Sequence, residues 1–139
     1  MDECLKRTVI EALGLQPASD SSTDLYVLAK RRYLLFYPDE VTKANTPQVL
    51  ENITKMFSPE KKKEWKTVIV VANTPDSFKN DGLLWFDSVN TGVVFYLINP
   101  FQRCAYWDKS WIISSIGLGY KKFLKQIRAI IEPMLTDEK

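Results

Sequence analysis

The chain contains no histidine, and this limits every chemical reading of it. Without imidazole there is no Ser-His or Cys-His nucleophile system, and the commonest general base and metal ligand are both missing. Catalysis would fall to carboxylates, lysine or tyrosine. The acids nearest to turns are Asp39, Glu40, Asp76, Asp81 and Asp87. A metal-dependent nuclease needs paired acids and an acid-x-Lys element on adjacent strands. The nearest matches, Glu60-Lys61-Lys62 and Glu64-Trp65-Lys66, fall in a charged segment that reads as helix. Gly117-Leu118-Gly119 has no third glycine and no Lys-Ser/Thr after it, so it is not a phosphate loop. The two cysteines, Cys4 and Cys104, stand far apart and outside any C-x-x-C pair, which gives zinc no support. The expectation is a non-enzymatic protein without metal or cofactor, whose acids are ordinary turn and surface residues.

Residues suited to binding are more numerous. Lys30-Arg31-Arg32, the run Lys61-Lys62-Lys63 with Lys66, and Lys121, Lys122, Lys125 and Arg128 form three basic clusters. Together they could grip a phosphate backbone, with Trp65, Trp85, Trp107 and Trp111 as stacking platforms. Seventeen acids nearly cancel the nineteen bases, so the net charge of +2 neither demands nor excludes a polyanion. A second set is aromatic. Trp85, Phe86, Phe95, Tyr96, Phe101, Tyr106, Trp107 and Trp111 crowd one stretch. Strand alternation puts Phe95 and Tyr96 on opposite faces, and likewise Tyr106 and Trp107. Large residues on both faces of a strand need cover on both, or they serve as anchors for a partner.

The elements that position these groups follow from periodicity and turn chemistry. Residues 2–13 read as a helix stopped by Gly14. Residues 25–29 and 33–37 read as a hairpin around the basic turn, or as one long strand, ended by Pro38. Thr46 as N-cap and Pro47 at the first position open a helix over 47–57, with Val49, Leu50, Ile53, Met56 and Phe57 on one face. A short charged helix over 60–65 follows. Residues 67–72 are an unbroken apolar run, expected as a strand buried on both faces. Residues 83–86, 93–98 and 102–107 read as a three-strand antiparallel meander turning around Asn90-Thr91-Gly92 and Asn99-Pro100, and Ile112 and Ile113 as a further short strand. A closing helix over 118–132 ends at Pro133, and residues 135–139 form a frayed tail. The fold class is α+β: one domain over residues 1–139, an antiparallel or mixed sheet with a central β-meander, and helices packed mainly on one face. The helices at 47–57 and 118–132 are expected to share that face.

Apolar residues at 45% and charged residues at 26% describe an ordinary globular domain with ample bulk for a core. The acidic opening residues lack a signal-peptide core, and no apolar run is long enough for a bilayer. Two reduced, mostly buried thiols in the cytoplasm are the expectation. Nothing in the composition sets an oligomeric state.

Residues 81–127 resemble the SUKH superfamily of bacterial immunity proteins. The matching pieces are Asp81-Gly82-Leu83-Leu84-Trp85-Phe86, Val93-Val94-Phe95-Tyr96, Ala105-Tyr106-Trp107-Asp108 and Tyr120-Lys121-Lys122-Phe123-Leu124. The segment before them lacks the family's early Leu-Pro segment and Asn-Gly turn. The resemblance implies an immunity or inhibitor protein that occludes a toxin or effector. The leading expectation is therefore a protein-binding module anchored by Trp85, Tyr96, Tyr106, Trp107 and Trp111. The alternative is a nucleic-acid-binding module using Lys30, Arg31, Arg32, Lys62, Lys63, Lys121, Lys125 and Arg128.

Overall fold

Residues 66–73 run Lys-Thr-Val-Ile-Val-Val-Ala-Asn, with apolar side chains at every central position. Such a strand has no face to give to water, so both sides must be covered. The computed structural model describes residues 2–18, 24–57, 63–75, 85–88, 91–107 and 120–136. In chain order the elements are α1 (Glu3–Leu13), β1 (Gln16–Pro17), β2 (Leu25–Ala29), β3 (Arg32–Phe36), α2 (Thr46–Lys55), β4 (Lys66–Asn73), β5 (Trp85–Ser88), β6 (Thr91–Asn99), β7 (Cys104–Tyr106) and α3 (Tyr120–Thr136). The architecture is α+β, with one open mixed sheet of order β1-β2-β3-β4-β6-β5.

The apolar run is β4, at the centre. β3 and β6 lie parallel on its two sides, with Arg32 beside Thr67 and Thr91 beside Lys66. β1, β2 and β3 pair antiparallel with one another in turn. β5 and β7 are both antiparallel to β6, as a meander requires. They do not flank it, however. β4 already occupies one edge of β6 along residues 91–98, so β5 takes residues 91–94 and β7 residues 97–99 of the other. Thr91 and Gly92 belong to β6 rather than to the expected turn.

Alternation along the strands builds two cores. Leu34, Phe36, Ile69, Val71, Val94, Tyr96 and Ile98 meet Leu5 and Val9 of α1 and Leu124, Ile127 and Ile131 of α3. Tyr33, Leu35, Val68, Val70, Ala72, Val93, Phe95 and Leu97 meet Val49 and Ile53 of α2, with Phe57. Two helices thus cover one face and α2 the other. The expectation that α2 and α3 share a face is corrected: α2 lies in the crossover from β3 to the parallel β4 and covers the face opposite α1 and α3, because strands apolar on both sides need cover on both. Ile53 is fully buried at the centre of the α2 stripe, a burial that contributes about 2–3 kcal/mol.

Helix ends follow local chemistry. Asp2 accepts from the Cys4 N–H to cap α1, and Gly14 ends it at φ 60°, a left-handed conformation that glycine adopts without steric cost. The cap position of α2 is Asn45, not Thr46. Its side chain accepts from Thr42 N and donates to the Glu40 carbonyl, fixing the loop instead of the helix. Pro133 does not end α3, which runs to Thr136 through residues expected in the tail. Proline has a helical φ, and here the bond it removes and the carbonyl its ring crowds belong to Ala129, which is exposed to solvent. Residues 63–65 are not helical, while 58–62, 112 and 113 lie outside the described residues. Both cysteines are free, but Cys4 is exposed rather than buried. Among the described residues no helix is long and apolar enough to cross a membrane.

Candidate nucleic-acid interface

The sheet end where β3, β4 and β6 begin gathers bases. Lys30 and Arg31 form the tight turn between β2 and β3, and both are exposed. A register shift between Val27 and Ala29 absorbs the turn's twist. Arg31 sits at φ 61°, where a side chain with a Cβ is strained and glycine or asparagine is usual. Its carbonyl accepts the Thr67 N–H at 3.0 Å, which ties the turn to the start of β4. Arg32, half-buried, pairs in register with Thr67. Parallel pairing therefore brings two basic segments that are distant in sequence to one place. Lys63, Glu64 and Trp65 pass the turn exposed, just before β4 begins.

Trp65 and Lys66 take opposite roles there. Lys66 is 2% exposed. Its ammonium donates to the Glu64 carbonyl at 3.2 Å and stands 4.8 Å from the Phe57 ring centre. The stem lies among apolar side chains while the charge keeps polar and aromatic neighbours. Trp65 remains 40% exposed. A Cβ on Gly92 would come within 3.2 Å of the Trp65 ring, so the bare backbone at position 92 makes the seat for the indole.

The opposite end of β3 carries acids. Asp39 and Glu40 are exposed in the loop that follows it. Asp24, whose carbonyl accepts the Phe36 N–H, holds the Lys6 ammonium at 2.7 Å. That hydrogen bond is the largest cause raising the Lys6 pKa, against the lowering effect of burial.

The aromatic anchors fare differently. Tyr96 is completely buried between β6 and the α1/α3 layer and cannot anchor a partner. Its hydroxyl is buried without a hydrogen bond of good geometry, although Glu132 stands close. Burial first, then the Glu132 charge, raises its pKa far above the tyrosine range. Trp107 is half-buried, its ring centre 5.9 Å from that of Tyr96. The Arg128 guanidinium lies 3.8 Å over the Trp107 ring and donates from Nε to Glu132 at 2.7 Å. Tyr106 is half-buried against the α2-side core, with the Cys104 thiol 3.5 Å from its hydroxyl. Trp85 lies in β5, its backbone in register with Val94. Trp111 and Lys62 lie outside the described residues, as do Asp76 and Asp81.

The eight candidate bases are thus divided. Lys30, Arg31 and Arg32 share the hairpin turn beside the start of β4, and Lys63 lies in the segment leading into β4. Lys62 is outside the described residues, and Lys121, Lys125 and Arg128 belong to α3, Arg128 engaged with Trp107 and Glu132. The sequence reading missed Gly92 as a seat and did not separate Trp65 from the other tryptophans. The available signal was a glycine inside a strand run, which marks close approach of another group. Among the described residues no group of three or more acids and cysteines could hold a metal ion. No protein-family model, curated protein or solved structure matches the chain.

Proposed function

We propose that this protein is a nucleic-acid-binding module that holds a phosphate backbone at the basic end of its sheet. One observation carries the reading: the Thr67–Arg31 hydrogen bond joins Lys30-Arg31-Arg32 to the segment 63–66, which carries an exposed tryptophan at the same end of the sheet. Lysine and arginine supply most nucleic-acid affinity by releasing condensed counterions, and aromatic faces add sequence-tolerant stacking. Arg31 holds a strained φ at the centre of the patch, and strain of this kind clusters at working sites. With about three phosphate contacts, log affinity should fall with log salt at a slope of about −2.

Fluorescence anisotropy of a labelled oligonucleotide across a salt series tests this. Lys30→Glu with Arg31→Glu should weaken binding by about tenfold or more and flatten the slope. Lys125→Glu, on exposed α3 surface, should change it little. No salt-dependent binding, or equal loss in both variants, would overturn the reading.

A specific observation keeps protein binding as a second reading. Phe101, in the β6–β7 turn, presents a phenyl group that is 69% exposed. Such a group suits an immunity or inhibitor surface like that implied by the SUKH resemblance. Phe101→Ala would then cost about 2 kcal/mol in affinity for a toxin or effector and leave oligonucleotide binding intact. The neighbouring gene discriminates: a toxin domain favours this reading, and a replication operon favours nucleic acid. Free thiols at Cys4 and Cys104 suit the cytoplasm under either reading.

A further inference from the structure

We infer that the basic end takes a single strand, not a duplex, with an unpaired base stacked on Trp65. The inference rests on the nucleic-acid reading above and adds to it the form of the ligand. Trp65 keeps 40% of its surface exposed, while the ring is backed by the sheet at Gly92. A ring held this way loses little freedom when a base covers it. Two residues along the chain, Thr67 hydrogen-bonds the Arg31 carbonyl. The ring lies over Gly92 of β6 and the turn leads into β3, with β4 between them. Ring and turn thus stand about two strand spacings, about 10 Å, apart, within reach of one strand that places a base on Trp65 and a phosphate beside Lys30 or Arg31. Bases in a duplex are stacked above and below and show only their edges in the grooves, so an indole face has nothing to meet. The competing geometry pushes the tip of the β2–β3 hairpin into a groove and leaves Trp65 idle.

The test compares three probes at one salt concentration: an unstructured oligothymidine or oligouridine, a duplex of equal phosphate count, and heparin. Each is titrated into the intact protein and into Trp65→Ala and Trp65→Phe, with folding checked by circular dichroism. The single strand should bind about tenfold more tightly than the duplex. Trp65→Ala should weaken single-strand binding about tenfold and leave duplex and heparin unchanged, while Trp65→Phe should retain most of the affinity. Duplex binding as tight as single-strand binding, or a single-strand affinity indifferent to Trp65→Ala, overturns the inference and leaves the nucleic-acid reading standing. If none of the three probes binds, both fall.

Discussion

Trp107 and Trp65 both stand near basic side chains, and both flank a strand of the same sheet. Trp107 follows β7 and is closed in. Tyr96 lies on one side, Arg128 stacks over it, and Glu132 holds Arg128 in place. Trp65 precedes β4 and is open, backed by the glycine at position 92 and at the same sheet end as a turn of exposed bases. The same pairing of indole and cation therefore does two jobs. Where a carboxylate and a second ring complete the set, the cation fastens a helix to the sheet. Where the bases share a sheet end with open indole surface, a ligand can complete the set.

The largest expected effect is on stability at the closed site. Trp107→Ala removes the contact with Tyr96 and the platform for Arg128, and should lower unfolding free energy by about 3 kcal/mol in denaturant melts. Trp65→Ala should cost less than about 1 kcal/mol in the same assay. Equal losses would erase the distinction between the two tryptophans.

Arg31→Gly should act in opposite directions on two readouts. Relief of the left-handed conformation should raise stability by about 1 kcal/mol, while loss of the guanidinium weakens oligonucleotide binding. A variant gaining both would show that Arg31 is a turn residue only. Arg128→Ala should cost about 1 kcal/mol, since the Arg128–Glu132 pair is partly solvated and the stacking on Trp107 supplies most of the effect.

The smallest effect at neutral pH is Tyr96→Phe. The hydroxyl is buried without a good hydrogen bond, so its removal should change stability by less than about 0.5 kcal/mol. The alkaline range is different. Tyr96 has a raised pKa in the folded state, so its contribution is complete below the ordinary tyrosine value near 10. It is lost as pH rises beyond that, because the unfolded chain releases a proton that the folded chain retains. Tyr96→Phe should reduce the alkaline slope by about 1.4 kcal/mol per pH unit.

Elements set by neighbours in sequence were legible. Gly14 as a stop, the stripe of α2 and the unbroken run of β4 needed only local pattern. The parallel joins were not, because nothing local in Arg32 or Lys66 says that β3 and β6 flank β4. Tyr96 was misplaced for a related reason. Val93 to Ile98 is as uninterrupted as β4, yet the meander reading makes it a middle strand covered on one face only. The same rule applied to both strands would have buried it. The basic clusters were each visible, but their adjacency depends on the parallel join, and the exposure of Trp65 depends on where that join ends.

The centrality of β4 also bears on synthesis. Residues 67–72 emerge from the ribosome before residues 91–98 are outside it to pair with them. For that interval the chain carries a β-branched, charge-free segment of the kind that seeds intermolecular sheets. Lys63 and Lys66 stand at its leading end, with Lys61 and Lys62 before them. Charges flanking an unavoidable apolar strand act as gatekeepers against self-association. The lysines that lead into β4 thus have an earlier duty, keeping nascent chains apart until β6 arrives.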